Sequence, residues 1–295
     1  MLILISDAFD ASLPGKLARF GQVTDDKSRQ AEADIVLIRS KTKVTKEYID
    51  AAPKLKLVIR GGVGLDNVDV PYAKSRKIIV YNTAEASTVA VAELAFALML
   101  ALPNNITRAD ASLRQKTWLK KELERTELMG KTLGILGIGR IGSALASRAK
   151  AFGMRVVAYD PYVYFSDFAQ LLPSVDEVLK QSDYVSMHMP LTDETRGMIN
   201  KQTLAKFKTG AYLINTGRGK CVVEDDLAEA LKSGKIAGYG NDVWYSDPPD
   251  WNSPLLTAPN CILAPHLGAS SKENMLRIGE IVESLIGKYA AGKLS

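Results

Sequence analysis

The feature that most constrains the fold of this chain is a regular alternation of short β-rich runs with helical stretches. Ten such runs occur in the 295 residues, and most of them are continuously apolar. Strands of that kind are buried on both faces, which indicates a parallel sheet covered by helices on each side. The alternation therefore predicts an α/β fold of the doubly wound type. The runs are residues 2–6, 34–39, 55–60, 77–82, 132–138, 155–160, 183–189, 211–215, 236–243 and 261–265.

Ten strands are too many for one small sheet, and the chain divides near an apolar helix. The stretch VAVAELAFALMLAL (89–102) is apolar almost all round, which is typical of a buried helix. We therefore expect two doubly wound parallel-sheet domains. The first comprises residues 1–99 and is completed by residues 268–295, because the last predicted helix has no following sheet of its own. The second comprises residues 100–267.

Composition narrows the function classes. The chain is 46% apolar and 24% charged, as in folded globular proteins, and its formal net charge is +5. No block of five or six like charges occurs, which argues against a nucleic-acid or membrane patch and is compatible with a small anionic substrate. Cys221 and Cys261 cannot form a disulfide framework and have no metal-ligand spacing. With an N-terminus that resembles a buried strand rather than a signal peptide, this predicts a cytoplasmic protein without a metal site.

The most specific motif is a glycine-rich turn inside a complete strand–helix–strand unit. In KTLGILGIGRIGSALASRAKAFGMRVVAYDP (131–161), Gly137, Gly139 and Gly142 follow a strand and open a helix, and Asp160 ends the next strand. Such glycines permit a tight turn, close approach of a pyrophosphate and close packing of the helix on the sheet. An acidic residue in the position of Asp160 can bind the adenosine ribose and repel a 2′-phosphate. The unit therefore predicts a site for NAD rather than NADP. The alternative is a glycine turn without a ligand.

Three further segments place reactive side chains after strands of the second predicted domain. NTGRGK carries Arg218 between two glycines, and GNDVWYSDPP carries Asp242 and Asp247. APHLGA carries His266, one of only two histidines and the residue type best suited to exchange a proton near neutral pH. Ligands of open α/β sheets gather outside the carboxyl ends of strands, so we expect these side chains to share a crevice. A histidine that caps the last helix and a solvated arginine are the alternatives.

These segments resemble the D-isomer-specific 2-hydroxyacid dehydrogenase family, and the resemblance covers nearly the whole chain. It also rests on GGVGLDNVDV (61–70), NTAEASTVAVAEL (82–94), TELMGKTLGILGIGRIG (126–142) and HMPLTDET (188–195). Within the family, APHLGASSKE, VGLDNVDV and TELMGKTLGI look most like D-3-phosphoglycerate dehydrogenases, in a short form without the C-terminal regulatory domain of longer members. The implied fold is a Rossmann NAD-binding domain inserted in a flavodoxin-like substrate domain.

The resemblance implies hydride transfer between NAD and a D-2-hydroxy acid. His266 is then the base that removes the hydroxyl proton, and Arg218 binds the substrate carboxylate and polarises the carbonyl. The family places a glutamate five residues after Asp242, where this chain has the shorter Asp247, so the contact with His266 is expected to need a backbone adjustment or a bridging water. The implied cofactor-binding residues are Thr83, Gly137, Gly139, Arg140, Ile141, Gly142, Asp160, Met189, Pro190, Thr216, Gly217, Asp242 and Gly268.

The first domain is expected to bind the other end of the substrate. RGGVGLDNVDV offers consecutive backbone N–H groups around Gly62, Val63 and Gly64, an arrangement that can hold a carboxylate. Arg39, in IRSKTKV, resembles the phosphate-contacting arginine of phosphoglycerate dehydrogenases, and a solvated loop charge is the alternative. The resemblance also implies a homodimer formed through the NAD-binding domains, with helices near 103–130 as the contact.

The predicted reaction is the conversion of 3-phosphoglycerate to 3-phosphohydroxypyruvate, a step of serine biosynthesis. Two alternatives stay open: a glyoxylate or hydroxypyruvate reductase of the same family, and a non-enzymatic NAD-sensing scaffold. The presence of Arg218, the carboxylate of Asp247 and His266 together argues against the non-enzymatic scaffold. The segment DVWYSDPP also has a faint likeness to formate dehydrogenases, but formate has no hydroxyl for a base to deprotonate.

Overall fold

The computed structural model describes residues 1–294, which form two compact units. The first unit comprises Met1–Ala90 and the C-terminal segment that begins at Ala269, and the second comprises Val91–Gly268. Each unit is built around its own parallel sheet. The predicted fold class, two doubly wound α/β domains with one inserted into the other, is confirmed.

Strands β1–β5 form the sheet of the first unit, and strands β6–β12 form the sheet of the second. Their bounds are β1 Leu2–Ile5, β2 Gln22–Thr24, β3 Ile35–Ile38, β4 Leu57–Arg60, β5 Ile79–Asn82, β6 Thr132–Leu136, β7 Arg155–Tyr159, β8 Gln170–Leu171, β9 Tyr184–Met187, β10 Ala211–Asn215, β11 Ile236–Asn241 and β12 Cys261–Leu263. The first sheet has the order β2-β1-β3-β4-β5, which is flavodoxin-like. The second has the order β12-β11-β10-β9-β6-β7-β8, which is the Rossmann order with one added strand.

Helices connect the strands and cover both faces of each sheet. Their bounds are α1 Leu13–Leu17, α2 Lys46–Asp50, α3 Val70–Ser75, α4 Thr88–Ala101, α5 Ile106–Arg114, α6 Arg140–Ala151, α7 Val175–Gln181, α8 Lys201–Lys206, α9 Glu224–Lys232 and α10 Lys272–Ala290. Short 3₁₀ turns lie at Ala18–Phe20, Lys27–Glu32, Gly219–Cys221 and Pro254–Leu256. Among the described residues no single helix is long and apolar enough to cross a bilayer, although the bent pair α4 and α5 meets that test jointly.

The apolar strands are explained by burial on two faces. All four residues of β3 are fully buried, and their side chains alternate between two apolar clusters. Ile35 and Leu37 pack in one cluster with Ile278 of α10, whereas Val36 and Ile38 pack in the other. Helix α10 therefore supplies part of the core of the first sheet, and this is the physical reason that the first unit includes the end of the chain.

The division between the units lies at residues 90 and 91 rather than at 99 and 100. The apolar side chains of α4 explain the difference, because Ala95, Phe96 and Met99 pack with Leu133 and Ile135 of the second unit. Most of α4 is therefore core of the second unit. The apolar character of this helix was visible in the sequence, but the sheet that it covers was not.

Two strands and one connecting segment differ from the sequence prediction. Strands β2 and β8 were missed because each is a short edge strand with half-buried or exposed side chains. The region near 103–130, expected to be helical, contains only α5, which is followed by turns and irregular chain up to β6.

Candidate active site

The glycine-rich turn between β6 and α6 leaves open space in front of that helix. Gly137 has φ +90°, and a Cβ there would lie 2.9 Å from the carbonyl carbon of His188. A Cβ at Gly142 would lie 2.3 Å from the carbonyl oxygen of Gly137, so the first turn of α6 packs directly on the loop. At Gly139, the N-cap, nothing lies within 4 Å of a Cβ position. Free N–H groups of the helix N-terminus thus face a space that an anion can enter.

Asp160, at the end of β7, holds the glycine-rich turn from the side. One carboxylate oxygen accepts a hydrogen bond of 3.0 Å from the backbone N–H of Ile138, and the other accepts one of 2.9 Å from Tyr162. A carboxylate has about four acceptor positions. Two therefore stay available for hydroxyl donors, so the same side chain can stabilise the turn and bind a ribose.

Two buried polar atoms lack partners at the carboxyl ends of the neighbouring strands β9 and β10. Among the described residues, Nδ1 of His188 and Oγ1 of Thr216 have no hydrogen-bond partner. The other ring nitrogen of His188 lies 2.9 Å from the hydroxyl of Ser186, and burial lowers the pKa of His188 to about 4, so its ring is neutral at pH 7. Because buried polar groups are normally paired, these atoms fit a ligand that supplies the missing hydrogen bonds. Together with the open N-terminus of α6, they fit a dinucleotide at the switch point between β6 and β9.

Arg218 lies in a turn that follows β10, and Asn215 shapes that turn. The Asn215 side chain accepts a hydrogen bond from the N–H of Gly217 and donates one to the carbonyl oxygen of Arg218, each at 3.0 Å. The guanidinium of Arg218 is half-buried and donates to the carbonyl oxygen of Gly217 at 2.8 Å. Asn215 was not predicted from the sequence; a polar residue at the end of a largely buried strand is the signal that could have identified it.

His266 and Asp247 form a direct contact. Nδ1 of His266 lies 2.5 Å from Oδ2 of Asp247, and the two side chains are 34% and 39% exposed. This hydrogen bond is the main cause that lowers the pKa of Asp247, and the nearby charge of Arg218 acts in the same direction. His266 has φ +59°, in the left-handed region. The contact is direct and needs no bridging water.

Asp242 fixes the backbone that carries His266. Its two carboxylate oxygens accept hydrogen bonds from Leu267 at 2.6 Å and from Gly268 at 2.8 Å, and the side chain is buried. Burial raises the pKa of Asp242, against the opposite effect of these two hydrogen bonds. A Cβ at Gly268 would lie 3.0 Å from Oδ2 of Asp242 and 3.2 Å from Val91. The glycine therefore leaves room for the Asp242 carboxylate itself.

Trp244 links the three loops that carry Arg218, Asp247 and His266. Its indole N–H donates to the carbonyl oxygen of Ala264 at 3.0 Å. A Cβ at Gly219 would lie 2.2 Å from the carbonyl carbon of Trp244. The hydrogen bond ties the loop of Trp244 to the chain just before His266.

The predicted substrate residues of the first unit lie around the ends of β3 and β4. Arg39 donates from Nη2 to the carbonyl oxygen of Ala269 at 2.9 Å, its Nε is buried without a partner among the described residues, and burial lowers its pKa. Gly62, with φ +146°, donates to the hydroxyl of Thr83 at 2.9 Å. Thr83, expected to bind the cofactor, is thus buried in the first unit beneath the loop that contains Gly62, Val63 and Gly64.

The remaining predicted cofactor residues follow strands of the second unit. Arg140 and Ile141 form the first turn of α6, with Arg140 exposed. Met189 and Pro190 come directly after β9 and His188. Gly217 is tightly packed, since a Cβ there would lie 3.0 Å from the carbonyl oxygen of Met187. Within residues 1–294 no group of three or more His, Cys, Asp and Glu side chains is arranged to hold a metal ion.

Comparison with known proteins identifies the class to which this fold and site belong. Residues 96–268 match the family model described as the NAD-binding domain of D-isomer specific 2-hydroxyacid dehydrogenases. The D-3-phosphoglycerate dehydrogenase of Methanocaldococcus jannaschii is 44% identical over 268 residues, which are 90% of this chain and 51% of that protein. The hydroxypyruvate reductase of Thermotoga maritima is 45% identical over 257 residues, which are 86% of this chain and 84% of that protein.

Solved structures agree with this class. The crystal structure of D-lactate dehydrogenase from Aquifex aeolicus, complexed with NAD and lactic acid, matches with a TM-score of 0.90 at 30% identity and covers 100% of this chain and 96% of its own. The chain belongs to the D-isomer-specific 2-hydroxyacid dehydrogenase family, as its sequence motifs predicted. It spans about half the length of the D-3-phosphoglycerate dehydrogenases that it matches.

Proposed function

We propose that this protein is an NAD-dependent dehydrogenase that acts on a small D-2-hydroxy acid. The observation that carries the proposal is the 2.5 Å contact between His266 and Asp247, in the same unit as the glycine-rich turn and Asp160. Such a pair supplies a base whose orientation is fixed by a carboxylate. When bound, NAD accepts the hydride from the carbon atom that bears the hydroxyl.

His266 removes the hydroxyl proton through Nε2. The carboxylate of Asp247, whose pKa is lowered, is ionised at neutral pH and only accepts hydrogen bonds. Nδ1 of His266 therefore carries the hydrogen in this contact, and Nε2 is the basic nitrogen. When His266 becomes an imidazolium, Asp247 stabilises the new charge. In the reverse reaction the same imidazolium donates the proton to the carbonyl oxygen of a 2-oxo acid.

Arg218 binds the carboxylate of the substrate and polarises the oxygen at C2. A guanidinium presents paired donors that match a carboxylate, and it stabilises negative charge that develops on the oxygen. The Asn215 hydrogen bonds fix the turn from which it extends. The presence of Arg218, Asp247 and His266 in one unit supports an enzyme over a non-enzymatic NAD-sensing scaffold.

For the substrate we favour 3-phosphoglycerate, oxidised to 3-phosphohydroxypyruvate in serine biosynthesis. Relatives named D-3-phosphoglycerate dehydrogenase support this choice. The buried Nε of Arg39, which has no partner within residues 1–294, supports it as well because it is available to an anionic group. Hydroxypyruvate reduction is the second candidate. It is favoured by the Thermotoga maritima relative, which this chain matches over 84% of that protein's length.

We further propose a homodimer formed through the NAD-binding units, located in the cytoplasm. Exposed apolar side chains support the dimer, because Ile106, Leu113, Trp118 and Met129 are each more than half exposed within the segment that precedes β6. A content of only two cysteines in the whole chain is compatible with a reducing compartment.

A substrate panel with the purified chain tests the proposal. We expect NAD-dependent oxidation of 3-phosphoglycerate with a higher kcat/KM than for D-glycerate or D-lactate, and no oxidation of formate. Arg39→Gln should raise KM for 3-phosphoglycerate more than for D-glycerate. The second candidate would be selected if kcat/KM for hydroxypyruvate reduction is higher than kcat/KM for both 3-phosphoglycerate oxidation and 3-phosphohydroxypyruvate reduction. Absence of turnover with every acid, while NAD still binds, would support the scaffold instead.

A further inference from the structure

Lys220 and Tyr245 make a contact that the proposed reaction does not use. The ammonium of Lys220 lies 5.2 Å from the centroid of the Tyr245 ring, within the range of a cation–π interaction. Lys220 is two residues after Arg218, and Tyr245 is two residues before Asp247. The contact therefore joins the loop of the substrate-binding arginine to the loop of the carboxylate that orients His266.

The Lys220 side of this contact is firmly held. The carbonyl oxygen of Lys220 accepts a hydrogen bond of 2.9 Å from Gly197, and Gly219 is packed against the backbone of Trp244 without room for a Cβ. Cys221, the next residue, is fully buried. The stem of Lys220 therefore begins at a fixed position, from which its ammonium can hold the more exposed Tyr245.

The Tyr245 side is exposed. Tyr245 is 55% exposed, and Ser246, Asp247 and Pro248 are also exposed, in contrast to the buried Trp244. The hydroxyl of Ser246 donates to the carbonyl oxygen of Pro248, a bond that stays within the segment. Side-chain contacts lead from the segment back to the body of the unit at Tyr245, through Lys220, and at Asp247, through His266.

We infer that Lys220 and Tyr245 are positioning residues that keep Asp247 in hydrogen-bond contact with His266. This inference rests on the proposed function, because it assigns the pair an effect on the base of that reaction. A displacement of Asp247 by about 1 Å would break a 2.5 Å hydrogen bond. Fixing the ring two residues before Asp247 restricts such displacements.

Paired substitutions test the inference by kinetics. Lys220→Gln and Tyr245→Leu should each lower kcat about 2- to 5-fold with little change in KM, the factor that follows from an exposed cation–π contact. The double variant should be no slower than the slower single variant. Lys220→Arg and Tyr245→Phe keep a cation and a ring and should restore kcat. Lys46→Gln, which removes the ammonium that lies 5.5 Å from the ring of Tyr72 in the first unit, is the matched control and should not change kcat.

Substitution of Lys220 in a chain that already carries Asp247→Asn distinguishes a positioning role of Lys220 from its other possible roles. If Lys220 acts through Asp247, Lys220→Gln should have no further effect in that background. An equal loss of kcat in both backgrounds would overturn the inference. A rise in KM for the hydroxy acid with kcat unchanged would also overturn it, because Lys220 would then contact the substrate directly.

A measurement without turnover follows the His266 ring itself. With only two histidines in the chain, ¹⁵N-labelled imidazole signals can be assigned to His266 by their loss in His266→Ala. We expect Lys220→Gln to move the midpoint of these signals in the same direction as Asp247→Asn, to lower pH, because the stabilising carboxylate is displaced. Simple loss of a nearby positive charge would raise the midpoint, so a rise or no change refutes the inference. The titration can be interpreted even if the chain turns over none of the tested acids. Absence of turnover would refute the proposed function alone.

Discussion

Replacement of Asp247 by asparagine measures what the carboxylate contributes to His266. A charge-assisted hydrogen bond contributes about 1.5–3 kcal/mol when it is well formed. The two side chains are 34% and 39% exposed, and water weakens their interaction, so we expect about 1–2 kcal/mol from this contact. At about 1.4 kcal/mol per factor of ten, kcat should fall roughly 5- to 30-fold.

The pH dependence of activity in Asp247→Asn provides a second, independent test of the contact between Asp247 and His266. The contact with His266 lowers the pKa of Asp247, and by linkage the same interaction stabilises the protonated imidazole. Oxidation requires the neutral imidazole, so activity rises with pH as His266 loses its proton. Removal of the anion takes this stabilisation away, so the acidic limb should move to lower pH. The asparagine amide can also donate to Nδ1 and favour the tautomer with hydrogen on Nε2, which adds to the loss of kcat.

The assay is kcat and kcat/KM for 3-phosphoglycerate oxidation from about pH 5 to pH 9. Asp250→Asn is the matched control, because Asp250 lies in the same segment and accepts hydrogen bonds from the N–H and amide of Asn252. It should leave the profile in place. The reasoning is refuted if Asp247→Asn keeps both the rate and the profile of the unmodified protein, and more so if Asp250→Asn changes them.

Three further changes test other parts of the site. His266→Ala should lower kcat by roughly two to four orders of magnitude, the range for loss of a general base, while a fluorescence titration still shows NAD binding. Asp160→Ala should raise the ratio of kcat/KM for NADP to that for NAD; an unchanged ratio would contradict the assigned role. Gly219→Ala should lower the thermal midpoint, since its Cβ would lie 2.2 Å from the carbonyl carbon of Trp244, whereas Gly15→Ala, with nothing within 4 Å, should not.

The sequence predicted the fold well wherever burial dictates residue type. Strands such as β3 are apolar at every position because both faces are covered, whereas a strand with one face in water alternates between apolar and polar residues. The edge strands β2 and β8 lack the continuous apolar pattern because their side chains are partly exposed. With only three residues in β2 and two in β8, the sequence carries little information about them. Likewise, an all-apolar helix such as α4 shows that it is buried but not which sheet it covers.

The candidate site was predictable where function restricts chemistry. His266 and Arg218 stand out because a rare histidine and an arginine between glycines follow strands. Asn215 acts through hydrogen bonds to Gly217 and Arg218 within its own turn, whereas Asp242 acts through hydrogen bonds to the loop that carries Leu267 and Gly268. Their partners become visible only when the turns after β10, β11 and β12 are placed in space.

The shorter carboxylate at position 247 shows how side-chain length and backbone conformation depend on each other. From sequence alone, Asp247 leaves a gap of one methylene, and Asp247→Glu would restore the family residue. In the structure His266 adopts φ +59°, Asp242 holds the next two N–H groups, and the gap is already closed to 2.5 Å. An added methylene must therefore displace the imidazole or bend the glutamate away, so we expect Asp247→Glu to lower kcat rather than raise it. A faster Asp247→Glu enzyme at saturating substrate would mean that the loop of His266 relaxes easily, and that Asp242 does not fix it.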